Sequence, residues 1–171
     1  TLPAGILGSR FVVVSVDTGN QVFELIETNN AAISTSGIKL LNPDLVVDAV
    51  VAPASSQFGQ SIEIRWTVRN EGTAPANGTW VDRVYFSSVF GSTNGAVQLL
   101  AQNIDNVLPL ASGASYSRTQ QVTLPIGPSF SAGSFYVLVQ SDAGSALFEA
   151  TETNNLAASS PVSLTIPPLP D

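Results

Sequence analysis

Apolar and polar residues alternate strictly between Ser61 and Gly72: Ile62, Ile64, Trp66 and Val68 hold one parity, Glu63, Arg65, Thr67 and Arg69 the other. That two-residue period predicts a strand with one face in a core and the other in water, with Trp66 pointing inward. Asn70-Glu71-Gly72 then reads as a turn. Residues 79–88 repeat the pattern with Trp80, Val84 and Phe86 on the apolar side. Asp82 shares their parity, so it is expected in the core or at a sheet edge, and a buried carboxylate needs a partner.

The rest of the chain is punctuated in the same way. Further strands are predicted at 44–51, 97–101, 104–108, 115–124, 135–140, 146–150 and 161–166, with a Gly91–Gly95 loop and an Asp142–Ser145 turn between them. Residues 10–16, 21–26 and 34–40 form a smaller strand set near the start. So many short strands with turn signals between them predict an all-β fold, an antiparallel immunoglobulin-like or fibronectin-like sandwich of two packed sheets.

The two ends of the chain carry the same segment. At an offset of 125, Asp17, Gly19, Phe23 and Glu24 match Asp142, Gly144, Phe148 and Glu149. The same offset pairs Glu27-Thr28-Asn29-Asn30 with Glu152-Thr153-Asn154-Asn155. Leu2-Pro3 resembles Leu124-Pro125, and Pro43-Asp44 recurs as Pro170-Asp171. The expected organisation is the closing strands of one repeat in residues 1–42, a complete repeat in 43–168, and the start of a linker or next repeat in 169–171. The first part cannot bury a two-layer core by itself. It is expected to fold back, pair with another copy, take missing strands from another chain, or remain a loosely attached tail. A chain opening on Thr reads as a segment of something longer.

Composition narrows the chemistry. The 171 residues contain no Cys, Met or His, which removes disulfides, thiol catalysis and His-based triads from this chain. The formal charge is -7 with six scattered basic residues, which argues against nucleic acid and anionic membrane as partners. No apolar run is long enough to insert into a membrane as a helix. Gly91–Gly95 lacks the Lys of a phosphate loop.

One dense group of oxygen-bearing side chains remains: Asp142, Glu149, Glu152, Asn154 and Asn155, repeated upstream as Asp17, Glu24, Glu27, Asn29 and Asn30. Calcium takes six to eight such oxygens, so these residues are candidate ligands, though their spacing is not that of the helical calcium loop. The alternative is a purely structural clasp in which Asn and Glu side chains bond to nearby backbone, or a role at the joint between repeats. Paired acids also suit a glycosidase, and Trp80 with Tyr85 suits a sugar-stacking surface. Neither is supported by an aromatic-lined cleft, and core placement of the aromatics is the simpler reading.

Together, Pro43-Asp44-Leu45, Trp66-Thr67-Val68-Arg69-Asn70-Glu71-Gly72, Asp82-Arg83-Val84-Tyr85-Phe86 and Glu149 through Asn155 resemble the CARDB family, the cell-adhesion-related domain found in bacteria. The resemblance implies an immunoglobulin-like sandwich used in tandem in large secreted or cell-surface proteins, with no shared catalytic residues. It implies a non-enzymatic structural or adhesion repeat whose partners are neighbouring repeats and a surface protein or polysaccharide. An accessory module of a secreted hydrolase and a strand-donating assembly element are the alternatives.

Overall fold

The computed structural model describes residues 6–168, and they fall into two units divided between Leu41 and Asn42. The larger unit contains nine strands: β5 (Leu45–Val51), β6 (Ser55–Gln57), β7 (Ser61–Asn70), β8 (Trp80–Ser87), β9 (Val97–Ile104), β10 (Ser115–Thr123), β11 (Gly133–Gln140), β12 (Leu156–Ala158) and β13 (Val162–Thr165). One sheet runs β10-β7-β5 and the other β6-β13-β11-β8-β9, with β12 also beside β11. Every pairing is antiparallel except β6 with β13, a parallel edge that alternation over three residues could not reveal. The expected all-β sandwich is the observed architecture.

The alternating segments build the core. Ile62, Ile64, Trp66 and Val68 on β7 face Trp80, Val84 and Phe86 on β8, and Val137 and Val139 on β11 join them, all buried. Burying each such side chain contributes about 1.5–3 kcal/mol. Phe86 stacks on Phe135 with ring centroids 4.7 Å apart, and Phe58 meets Phe135 edge-on at 5.4 Å. A residue-register shift between Val47 and Ala49 on β5 puts Asp48 on the outer face. There it pairs with Arg69 at 2.8 Å, in solvent-screened surroundings.

Beside β11 the chain is one interrupted strand. Between β12 and β13, the Ser159 N–H donates to Val137 O at 2.8 Å and the Val137 N–H donates to Ser159 Oγ at 3.1 Å. A side-chain oxygen thus replaces a ladder carbonyl where Pro161 follows.

Three expectations need correction. Residues 146–150 and 21–26 are loops, because Asp142 and Asp17 capture the amides a ladder would use. Residues 97–108 give a single strand, β9, ending at Ile104, and the chain then turns toward Pro109. The early strands are shorter than expected.

Those strands belong to the smaller unit: β1 (Gly8–Arg10), β2 (Val13–Ser15), β3 (Ala31–Ile33) and β4 (Ile38–Leu40), with a 3-10 turn at Glu27–Asn29. β1 pairs with β4 and β2 with β3, both antiparallel. Val12, Val14 and Val22 remain exposed, so this unit has the strand pairing of a sandwich half without its core. Leu2-Pro3 and residues 169–171 lie outside the described residues, as does the side chain of Glu27.

Candidate functional site

The candidate residues gather at the pole of the larger unit where its chain enters and where the loop from Ser141 to Asn155 closes. The Ser141 N–H donates to Asn155 O at 2.9 Å, fixing the base of that loop. Asp142 takes a left-handed φ of 41°, and its two carboxylate oxygens accept the Ala146 and Leu147 N–H groups at 2.9 and 2.8 Å. A short acidic side chain tolerates that backbone and satisfies amides that no strand will pair.

Glu149 is 1% exposed, and its Oε2 accepts the Leu45 N–H at 3.1 Å and the Asn155 Nδ2–H at 2.9 Å. Burial pushes its carboxyl up to about 7, with the charges of Asp142 and Glu152 adding to the rise and the two bonds opposing it. Glu152 Oε1 accepts the Glu149 N–H at 3.0 Å. Asn154 Nδ2 donates to Asp44 Oδ1 at 2.9 Å, and the Ala150 N–H donates to Pro43 O at 2.8 Å. The loop therefore grips Pro43-Asp44-Leu45 at three consecutive residues.

Asn70 grips the same entry segment from the other side. Its Oδ1 accepts the N–H groups of Asp44 and Gly72, both at 3.0 Å, while Nδ2 donates to Ala74 O at 2.8 Å and Leu110 O at 3.0 Å. All four side-chain bonding positions are used, with the residue fully buried. At Gly72 a Cβ would lie 2.4 Å from Asn42 O and 2.5 Å from Asp44 N. No rotamer relieves contact with backbone, so only glycine lets the entry segment pass. The sequence marked Asn70-Glu71-Gly72 as a turn and missed that Asn70 is the hub of this pole.

A second polar cluster lies inside the core. Asp82 Oδ2 accepts Trp66 Nε1–H at 2.8 Å and Tyr116 O–H at 2.7 Å, and Oδ1 accepts Ser141 Oγ–H at 2.9 Å. Trp80 Nε1–H donates to Tyr116 Oη at 3.2 Å. Burial holds the Asp82 carboxyl above its ordinary range while the Trp66, Tyr116 and Ser141 bonds pull it back. The expectation that Asp82 needs a partner is met three times over. Trp80 is 1% exposed, which leaves no face for a sugar to stack on.

Among the described residues, no three His, Cys, Asp or Glu side chains converge in a way that could hold a metal ion. Both Asp142 oxygens serve backbone amides. Glu149 Oε1, Asn154 Oδ1 and Asn155 Oδ1 are buried and accept no protein hydrogen bond.

The smaller unit repeats the frame of this loop. Asp17 has φ 42°, and its carboxylate accepts the Gln21 and Val22 N–H groups at 2.8 and 3.0 Å. The Val16 N–H donates to Asn30 O at 2.9 Å, as Ser141 does to Asn155. The Val12 N–H donates to Ser34 Oγ at 3.1 Å, matching Val137 with Ser159. β2 and β3 pair in the register of β11 and β12: Val13 faces Ile33 as Leu138 faces Ala158.

Residues 42–159 match the family called CARDB. The chain belongs to that family. Its CARDB domain is a non-catalytic, adhesion-type β-sandwich. Among solved structures, the chain is similar to the crystal structure of a CARDB domain from Pyrococcus furiosus in complex with di-metal ions. That match has 19% identity and a TM-score of 0.55, and covers 76% of this chain and all of that one (100%). A solution NMR structure of the same Pyrococcus furiosus domain matches with 21% identity and a TM-score of 0.52, covering 74% of this chain and 98% of that one. No curated protein matches the chain. Among the described residues, no helix is long and apolar enough to cross a membrane.

Proposed function

We propose that the chain is a tandem adhesion and spacing segment of an extracellular or cell-surface protein. In this reading residues 1–42 are the closing strands of one CARDB copy, 43–168 a complete copy, and 169–171 the start of a linker or next copy. The supporting observation is the loop scheme of Asp142–Asn155 repeated at Asp17–Asn30. In the complete copy that loop is bonded to the entry segment, so a pull on the entry loads the bonds to Pro43, Asp44 and Leu45 together. Its partners are neighbouring repeats and a surface protein or polysaccharide.

Panels of surface polysaccharides and proteins probed with the labelled chain test this. Saturable binding identifies adhesion and its absence identifies spacing, whereas turnover of any panel member overturns the non-catalytic reading. An accessory role beside a hydrolase is distinguished by a catalytic domain on the parent polypeptide.

A second reading places calcium at the same pole, with Asp142, Glu149, Glu152, Asn154 and Asn155 as the ligand set. What favours it is the trio of unpartnered buried oxygens on Glu149, Asn154 and Asn155, together with the metal ions of the Pyrococcus furiosus domain. Against it stands the full use of Asp142 by backbone amides. Calorimetric titration of the chelator-treated chain decides. Saturable calcium binding lost in Glu149→Gln and Glu152→Gln supports a metal-rigidified repeat, and no heat with no rise in melting temperature leaves the clasp.

A further inference from the structure

The smaller unit has an apolar face that the larger unit shows how to cover. Val12, Val14 and Val22 are 47%, 59% and 59% exposed, while their counterparts at the 125-residue offset, Val137, Val139 and Leu147, are 0%, 0% and 9% exposed. In the complete module that face lies in the core against the opposite sheet, β10-β7-β5, while β8 and β9 extend its own sheet, and all of these strands lie within residues 42–124. The same unit carries an open hollow lined by Glu24, Leu25, Ile26 and Asn29. Three of these four correspond to Glu149, Ala150 and Asn154, the residues that grip Pro43, Asp44 and Leu45.

We infer that residues 6–41 form a receiving site for a second copy of the Asn42–Val122 segment joined ahead of them, with its Asn-Pro-Asp-Leu entry seated in the Glu24–Asn29 hollow. The inference rests on the tandem reading above and adds the occupant and its docking bonds. The Leu25 N–H takes the Pro carbonyl, the Asn29 amide takes the Asp carboxylate, and the Glu24 carboxylate takes the Leu N–H. Each bond is copied from a bond present in the complete module. The incoming strands bury the Val12, Val14 and Val22 face as the core under β5, β7 and β10 buries Val137, Val139 and Leu147. Loss of apolar exposure supplies the driving force, and the three polar contacts fix the register.

The test joins residues 42–122 ahead of Thr1, so that Val122 runs into Thr1-Leu2-Pro3 as it runs into Thr123-Leu124-Pro125 in the native chain. Hydrogen exchange is then followed in residues 12–16 and 31–34 of the native and extended chains, with residues 137–141 as the internal standard. The expected result is slowing by more than about a hundredfold in the extended chain alone. Asn29→Ala, and Asp44→Ala confined to the added copy, are each expected to reverse much of that slowing, and the double variant no more than either. Protection insensitive to both variants overturns the docking bonds while leaving the tandem reading intact. No protection in the extended chain overturns both. Protection already present in the native chain, with the mass of a dimer, assigns the face to another whole chain and overturns this occupant.

Discussion

Leu45 and Glu149, the first residue of β5 and a buried acid in the last long loop, are joined by a 3.1 Å bond from the Leu45 N–H to Glu149 Oε2. Glu149 is therefore both a structural acceptor and a titrating group held up to about 7. The folded state holds its proton more tightly than the unfolded chain, whose value stays near 4.5. The protonated form thus favours the fold. Its stabilising contribution is complete below the unfolded value and is lost as pH rises to the folded one. With about 1.4 kcal/mol per unit, the loss reaches roughly 3 kcal/mol. Thermal melting of the native chain and Glu149→Gln between about pH 5 and pH 8 is expected to show a difference that grows in favour of Gln as pH rises. A constant difference across that range would show that Glu149 titrates normally.

Asn70 offers a sharper test of the clasp, because its two side-chain ends do different work. Asn70→Ala strands the Asp44 and Gly72 N–H groups and is expected to cost roughly 3 kcal/mol in a denaturant melt. Asn70→Asp keeps the acceptor but turns a second oxygen toward Ala74 O and Leu110 O, so it is expected to be no better tolerated than Ala. An Asp variant as stable as the native chain would mean that the two donated bonds contribute nothing.

The part of this architecture legible in the sequence is the part that one residue's own neighbours decide. β7 and β8 were readable because a half-buried strand writes its two faces into alternating positions, and the same parity put Asp82 in the core. The loops at 21–26 and 146–150 read as strands in the sequence because their apolar content is strand-like. What removes them from a sheet is a carboxylate four and five positions earlier that takes their amides. The role of Asn70 was invisible for the opposite reason: its partners Asp44 and Leu110 lie 26 and 40 positions away. The acidic and amide-rich loop was found from its repetition. Its grip on Pro43-Asp44-Leu45 joins positions more than a hundred residues apart, and only the fold brings them together.

Asp82 separates the value of a charge from the value of an acceptor. Asp82→Ala leaves the Trp66 indole N–H, the Tyr116 hydroxyl and the Ser141 hydroxyl facing an apolar gap, and it is expected to cost roughly 4 kcal/mol. Asp82→Asn retains one oxygen for Trp66 and Tyr116. Its new amide can donate to Ser141 Oγ, since a hydroxyl turns to accept as readily as it donates. It also removes the desolvation that raises the Asp82 carboxyl. The expected penalty for Asn is under about 1.5 kcal/mol. Equilibrium unfolding followed by tryptophan fluorescence measures both variants at the indoles that make these bonds, Trp66 directly and Trp80 through Tyr116. Equal losses for Ala and Asn would show that the core requires the negative charge itself.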